Sequence, residues 1–255
     1  MMRPNKAKAR LRTKTQAVGC WLNLGLPTAT EVLAGAGFDA FLVDQEHGEG
    51  TLSDGVAQLR AASAYDTTML IRVPSHDPNY IKRVLDAGFE GVMVPGIESA
   101  TQAKAIVDAC RYPPQGRRGT AGTVRAGDYG RRWSDYQSRH AEELLVILQI
   151  ESALAVDRVP EIAAVTGVDM LFIGPLDLSA SIGKTGQFSD PDVVALHDRA
   201  ERTIKNSGKW LGGLELSGQA DRLLKRGYDL VFATSDMHLL RDGAVRTLEA
   251  CGRRR

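Results

Sequence analysis

The chain alternates between short apolar runs and segments with helical periodicity. Eight of the runs are mostly continuous in their apolar residues, a pattern typical of strands that are covered on both faces of a sheet. The predicted strands span residues 17–22, 40–44, 68–73, 91–95, 144–150, 170–174, 210–214 and 229–234. Such strands indicate a parallel sheet with helices packed against it.

The segments between these strands have the apolar spacing of helices, and glycines mark several of their ends. Asp77 is a plausible N-cap before Pro78, and Gly88 ends the same segment. The helices predicted with defined bounds span residues 30–37, 78–88, 99–110 and 219–227.

Eight strands alternating with helices predict a single (β/α)8 barrel, or TIM barrel, over residues 1–255. An open doubly wound sheet is the alternative, but no Gly-x-Gly-x-x-Gly motif follows the first strand. Residues 1–14 are predicted to form a basic N-terminal arm or helix, and residues 240–255 a C-terminal helix and tail. Residues 113–132 are rich in Pro, Gly and Arg, and we expect this long connection to cover a site or build an interface.

The composition and charge of the chain limit the binding partners and the compartment that we expect. A net charge of +1 offers no broad basic face, so nucleic acid binding is not expected. No apolar run approaches the roughly 20 residues that span a bilayer, and the basic N-terminus lacks the apolar core of a secretory signal. Cys20, Cys110 and Cys251 are far apart in sequence, which fits a protein of the reducing cytoplasm.

Charged residues gather at the carboxyl ends of the predicted strands, which is where TIM barrels place their active sites. They are Asp44, Glu46, His47, Arg72, Glu151, Asp177 and Asp236. Glu151 follows the fifth strand and Asp177 the sixth, so both acids lie on one rim. Two carboxylates that neutralise a dication and leave room for substrate oxygens indicate a site for Mg²⁺ or a similar cation. Each acid could instead cap a helix or pair with an arginine.

Three further features of this rim suggest chemistry. Asp44 and His47 are close enough for the carboxylate to accept from the imidazole, which would make His47 a general base, directly or through a water; a surface histidine beside acids is the alternative. Arg72 needs an anionic partner, either a substrate oxyanion or the carboxylate of Asp44 or Glu46. The turn Gly174-Pro175-Leu176-Asp177 suits a small carboxylate ligand at a helix start, although Pro175 could serve only the turn.

The predicted strands contain no lysine, which argues against Schiff-base chemistry and for metal activation. Several motifs then resemble, in order and spacing, the pyruvate-dependent class II aldolases of the HpcH/HpaI family. The similarity runs from about residue 19 to residue 236. The motifs are GFDAFLVDQEH (37–47), IRVP (71–74), HDP (76–78), RYPPQGRRG (111–119), QIE (149–151) and FIGPLDLS (172–179).

The resemblance implies a role for each matching residue. It implies that Glu151 and Asp177 bind Mg²⁺, Mn²⁺ or Co²⁺, and that Asp44 and His47 form an acid–base dyad. It also implies that Arg72 contacts the pyruvate oxygen, that Gln149 lines the pocket, and that the turn from Gly174 to Asp177 holds the pyruvate carboxylate. The expected reaction is reversible cleavage of a 4-hydroxy-2-oxo acid to pyruvate and an aldehyde through a metal-stabilised enolate. The expected assembly is a homo-hexamer, a trimer of dimers that exchange a C-terminal helix, with Asp86 approaching a neighbour's site.

Three stretches depart from the family pattern. Gly48-Glu49-Gly50 adds charge and flexibility to the loop after His47, and residues 211–216 and 234–239 are also unusual, particularly Met237-His238. All three are expected to meet the aldehyde half of the substrate. Two other functions stay open. One is a carbon–carbon lyase acting on a coenzyme A thioester, whose phosphates Arg117, Arg118 and Arg125 could contact. The other is a non-catalytic barrel that binds 2-oxo acids.

Overall fold

The eight predicted strands form a closed barrel in which every strand pairs in parallel with its neighbours in chain order. The computed structural model describes residues 4–253. The strands are β1 (Ala17–Leu22), β2 (Ala40–Asp44), β3 (Thr68–Arg72), β4 (Gly91–Val94), β5 (Leu145–Ile150), β6 (Met170–Ile173), β7 (Trp210–Leu214) and β8 (Leu230–Ser235). The predicted TIM barrel is confirmed, and no predicted strand boundary moves by more than one residue.

Helices surround the barrel and follow most strands. They are α1 (Lys6–Arg12), α2 (Pro27–Ala34), α3 (Leu52–Ala61), α4 (Pro78–Ala87), α5 (Ala100–Cys110), α6 (Trp133–Glu143), α7 (Ala153–Asp157), α8 (Val159–Ala163), α9 (Pro175–Ala180), α10 (Pro191–Asn206), α11 (Ala220–Lys225) and α12 (Asp236–Ala250). The helix expected to begin at residue 30 begins at Pro27, because proline at the first position has the φ that a helix needs. In the described part of the chain, no helix combines the length and apolar character that crossing a membrane requires.

The residues predicted to begin and end α4 do so in the structure. The Asp77 side chain accepts a hydrogen bond from the backbone N–H of Asn79 at 2.9 Å, and Pro78 occupies the first turn. Gly88 ends the helix with a left-handed φ of 97°, a conformation that glycine adopts without a Cβ penalty. Ile81 and Val84 are fully buried against the barrel.

The barrel interior is a second core, separate from the layer between strands and helices. It contains the aromatic rings of Trp21, Phe172 and Phe232, together with smaller apolar residues of the strands. Helix α1 contributes Ala7 and Leu11 to this core. The amino end of the barrel is thereby closed, which leaves the carboxyl end for chemistry.

The long connection after β4 packs against the barrel instead of forming a bare loop. Arg118 is buried, lies over the ring of Tyr112 at 4.6 Å and donates to Tyr136 Oη at 2.9 Å. Its Nη2 pairs with Asp86 at 2.6 Å. Arg118 is therefore a structural centre for this segment and is not available to the phosphates of a coenzyme, contrary to the alternative raised above. A cavity of about 200 Å³ beside it, also lined by Asn5 and Glu90, lies away from the strand-end residues.

Candidate active site at the carboxyl end of the barrel

Asp44 and Arg72 are paired at the carboxyl ends of β2 and β3. The register of the two strands places them directly opposite each other, so their side chains leave the sheet on the same face. Arg72 donates from Nε to Asp44 Oδ1 at 2.9 Å and from Nη2 to Oδ2 at 2.7 Å. Its Nη1 also lies 2.8 Å from Glu46 Oε2. Both of the structural partners considered for Arg72 are therefore present.

The Asp44 carboxylate is saturated with donors. Besides Arg72, Oδ2 accepts from Trp21 Nε1 and from Asn23 Nδ2, both at 3.1 Å. Oδ1 accepts from the backbone N–H groups of Glu46 and His47 at 3.0 and 3.2 Å. Burial alone would raise the pKa of Asp44, but the Arg72 guanidinium and these donors hold it below its usual value. Asp44 is therefore an anionic anchor at neutral pH.

His47 lies in this turn but does not have the contact that its spacing suggested. Its backbone N–H bonds to Asp44, while its imidazole is largely exposed and its Nε2 lies 4.0 Å from Glu46 Oε1. The predicted hydrogen bond between the His47 imidazole and the Asp44 carboxylate is therefore wrong. The physical reason is that Arg72, Trp21 and the turn already occupy the Asp44 oxygens.

The loop after His47 is closely fitted, which corrects the flexibility expected of Gly48-Glu49-Gly50. A Cβ at Gly48 would collide with the carbonyl oxygen of Asp44, and one at Gly50 would lie 3.0 Å from Gly25 Cα. The backbone N–H of Glu49 donates to the carbonyl oxygen of Asn23 at 2.9 Å. The glycines here allow two loops to approach closely.

Glu151 is held by two hydrogen bonds across the rim from Arg72. Its Oε1 accepts from the backbone N–H of Gly96 at 2.6 Å, and its Oε2 accepts from Gln149 Nε2 at 2.8 Å. Burial raises the pKa of Glu151 to about 7, and the neighbouring charges of Asp177 and Glu46 act in the same direction.

The turn between β6 and α9 brings Asp177 beside this group. Gly174 allows the approach, because a Cβ there would lie 2.8 Å from Glu151 Oε2. Pro175 and Leu176 begin α9, and Asp177 is exposed in its first turn. Like charges therefore repel one another at this end of the barrel, among the carboxylates of Glu46, Glu151 and Asp177.

The donor set fits a hard divalent cation. Glu151 and Asp177 supply carboxylate oxygens, and a cation would relieve their repulsion. Gln149 Oε1 is buried and has no hydrogen-bond partner within residues 4–253, so it is free to accept from a ligand. Oxygen ligands and surplus negative charge are what Mg²⁺ or Mn²⁺ requires.

A second carboxylate–imidazole group lies on α10, away from the barrel mouth. His197, Asp198 and Glu201 bring potential ligand atoms within 4.8 Å of one another. Arg226 pairs with both acids at 2.6 and 2.7 Å, and Lys205 pairs with Glu201 at 2.6 Å. These cations already neutralise the group, so it lacks the surplus charge of the barrel mouth.

Two further residues singled out from the sequence, Asp236 and Asp86, make structural contacts within the chain. Asp236 is buried and accepts from the backbone N–H groups of Asn23 and Leu24, so it ties the start of α12 to the loop after β1. Asp86 pairs with Arg118 within its own chain. Sequence reasoning missed Trp21 and Asn23. Their positions at the carboxyl end of the first strand were the available signal.

Known proteins resemble this chain over nearly its whole length. Residues 17–242 match the family described as HpcH/HpaI aldolase/citrate lyase. A 5-keto-4-deoxy-D-glucarate aldolase from Klebsiella pneumoniae is 37% identical over 248 residues, covering 97% of this chain and 96% of that protein. The crystal structure of an HpcH/HpaI aldolase/citrate lyase family protein from Burkholderia cenocepacia has a TM-score of 0.93 at 37% identity, covering 98% of this chain and 100% of that one. The HpcH/HpaI aldolase from Desulfitobacterium hafniense has a TM-score of 0.89 at 29% identity, covering 97% of both chains.

Proposed function

Because the chain belongs to the HpcH/HpaI aldolase/citrate lyase family and is an aldolase, we propose that it cleaves 4-hydroxy-2-oxo acids reversibly to pyruvate and an aldehyde, with a divalent cation. The observation that carries this proposal is the arrangement at the barrel mouth. Arg72 lies there with a group of repelling carboxylates and the unpartnered oxygen of Gln149. Such a site attracts cationic charge and oxygen-rich anionic substrates together.

Glu151 and Asp177 would hold the cation, which supplies positive charge to substrate oxygens when it is bound. Gly96 and Gln149 orient Glu151 through the two hydrogen bonds described above. Gln149 Oε1 is available to accept from a substrate hydroxyl. The backbone N–H groups of Leu176 and Asp177 are available to the pyruvate carboxylate at the start of α9.

In the cleavage direction, His47 accepts the proton of the C4 hydroxyl. The C3–C4 bond then breaks, its electron pair passes into the pyruvate enolate, and the C4 carbonyl of the aldehyde forms. Arg72 stabilises the negative charge on the enolate oxygen. A proton then returns to C3 to give the pyruvate methyl group. Asp44 and Glu46 hold the guanidinium in position throughout.

The coenzyme A thioester lyase is less well supported. It needs exposed cations for the coenzyme's phosphates, but Arg118 is buried and paired with Asp86. Arg125 donates to the carbonyl oxygen of Ala87, so of these three arginines only Arg117 is largely exposed, and it lies 3.8 Å from Asp108. A non-catalytic 2-oxo-acid binding barrel is less well supported, because relatives 37–38% identical to this chain over most of its length are aldolases.

The proposed assembly is a homo-hexamer that exchanges C-terminal helices. Helix α12 buries only Asp236 and exposes Met237, Leu240, Val245 and Leu248. An apolar helix surface of this kind indicates a protein partner, and a second copy is the partner that the family resemblance implies. In that assembly Asp86 would approach a neighbour's site. The proposed compartment is the cytoplasm, and Cys20, Cys110 and Cys251 are free thiols.

The test is pyruvate release from 4-hydroxy-2-oxo acids of varied chain length, beginning with 5-keto-4-deoxy-D-glucarate. Each assay is run with Mg²⁺ or Mn²⁺ and again with EDTA. Release that EDTA abolishes and added metal restores is the expected result. Release that persists in EDTA would contradict the metal role. Absence of release from a folded, metal-loaded protein, with turnover of a coenzyme A thioester, would favour the alternative lyase.

A further inference from the structure

His76 lies in the loop after β3, and its imidazole contacts the backbone after β4. Its Nε2 is 2.7 Å from the carbonyl oxygen of Pro95. A carbonyl oxygen only accepts hydrogen bonds, so Nε2 carries the proton in this contact. The side chain is half-buried, and its donor is engaged by the protein backbone.

The same peptide unit that accepts from His76 also donates to Glu151. The Pro95 carbonyl and the Gly96 N–H belong to one planar amide, and the Gly96 N–H donates to Glu151 Oε1 at 2.6 Å. A Cβ built at Gly96 would lie 3.9 Å from His76 Nε2 and 4.0 Å from Glu151 Oε1. His76 and Glu151 therefore flank Gly96 and are joined through a single peptide.

This arrangement affects Glu151 in two ways. A donor on the carbonyl oxygen polarises the amide, so that its N–H becomes a stronger donor to the carboxylate. The bond also fixes the orientation of an exposed peptide at a residue with a φ of +63°, which glycine adopts readily. Without His76, the peptide is free to turn and to carry Glu151 Oε1 with it.

We propose that His76 is a positioning residue for Glu151, acting through the Pro95–Gly96 peptide. The inference rests on the proposed function in one respect, since that function makes Glu151 a ligand of the cation. In this role His76 acts through its hydrogen bond to the Pro95 carbonyl oxygen and is not itself a cation ligand. Outer partners of metal ligands commonly account for about 10–100-fold in metal affinity, and the lower end applies here because the effect passes through one intervening peptide.

The experiment compares Mn²⁺ binding by isothermal titration calorimetry in wild-type protein, His76→Leu and His76→Gln. Leucine keeps bulk but removes the donor, whereas glutamine presents an N–H at similar reach. We expect about 10-fold weaker binding in His76→Leu and recovery to within about 3-fold of wild type in His76→Gln. His197→Leu on α10 is the matched control, and its affinity should equal that of wild type.

A second measurement reports on the peptide without any metal. In metal-free protein labelled with ¹⁵N-glycine, the Gly96 amide proton should shift upfield in His76→Leu, because its hydrogen bond to Glu151 weakens, and should return in His76→Gln. Equal Mn²⁺ affinity in wild type and His76→Leu, or an unmoved Gly96 signal, overturns the proposal. If wild-type protein itself binds no Mn²⁺, the proposed cation function fails, and this inference fails with it.

Discussion

Asp44 and Arg72 face each other across β2 and β3 and share two hydrogen bonds of 2.7 and 2.9 Å. The pairing leaves Nη1 for Glu46, and the guanidinium carbon lies 4.7 Å from the Trp21 ring centroid. Three groups, the carboxylates of Asp44 and Glu46 and the Trp21 ring, therefore hold this guanidinium at the mouth of the barrel. A guanidinium held in advance does not have to reorganise when charge develops on a substrate, which is the condition for strong electrostatic stabilisation.

Replacing Arg72 should abolish most turnover. In Arg72→Ala we expect kcat to fall by about 10²–10³, because the enolate oxygen loses its cation. The buried carboxylate of Asp44 also loses its partner, a change that typically costs about 3–5 kcal/mol of stability. Steady-state kinetics together with circular dichroism separate the two effects. Arg72→Lys keeps the positive charge without the bidentate geometry, and its kcat should lie between those of wild type and Arg72→Ala. A folded Arg72→Ala protein with near-normal kcat would remove Arg72 from the mechanism.

Trp21 should matter through one hydrogen bond. Trp21→Phe keeps an aromatic ring beside Phe172 and Phe232 but removes the donor to Asp44 Oδ2. Hydrogen bonds to charged groups contribute about 1.5–3 kcal/mol, so a fall in kcat of about 10-fold is expected as Asp44 and Arg72 loosen. Trp210→Phe, at the amino end of β7, is the control. Equal kcat in the two variants would show that the indole N–H has no positioning role.

Gly174 should tolerate no side chain, although its backbone would permit one. Its φ is −88°, yet a Cβ would lie 2.8 Å from Glu151 Oε2 and 3.0 Å from Glu151 Cβ. Gly174→Ala should displace Glu151 and lower kcat by about 100-fold, the usual cost of misplacing a group by about 1 Å. In Gly35→Ala the new Cβ would lie an ordinary 3.5 Å from the carbonyl oxygen of Val32, and activity should be retained. Assays of both variants with their melting temperatures test this; unchanged activity in Gly174→Ala would contradict the geometry.

His140 should make the fold sensitive to acid. Its Nδ1 lies 3.0 Å from the carbonyl oxygen of Gln137, and its ring packs 4.5 Å from that of Tyr112. Burial lowers the pKa of His140, and the charges of Arg118 and Arg111 act in the same direction. The unfolded chain therefore binds a proton below about pH 6.5 while the folded chain does not, so the free energy of unfolding should fall as the pH drops through this range.

Urea unfolding between pH 8 and pH 5 measures that slope. His140→Gln should give a shallower decline below about pH 6.5 than wild type. His197 contributes in the same sense, since burial and then Arg226 lower its pKa, and His197→Gln should also flatten the curve. Parallel curves for wild type and His140→Gln would show that His140 takes up no proton on unfolding in this window.

The strands and the rim residues follow from local sequence. Continuous apolar runs that stop at glycine, proline or an acid predict parallel strands, and their order predicts the closed barrel. Every strand of a parallel barrel points the same way, so residues that follow different strands lie on one rim. The positions of the predicted strands therefore predict a shared rim for Asp44, Arg72, Glu151 and Asp177. The start of α2 at Pro27 and the whole of α6 were less evident, since α6 buries only Tyr136 and His140.

The sequence by itself determined the barrel, its direction and the charged residues at its mouth, because these depend on patterns within single elements. Only the tertiary structure decided which of those residues pair. Asp44 bonds to Arg72 and not to the His47 imidazole because strand register places the guanidinium opposite it. Glu151 reaches His76 through the Pro95–Gly96 peptide because the loops after β3 and β4 meet over the end of β5. Contacts between segments far apart in the chain depend on register and loop packing, and neither is readable from local spacing.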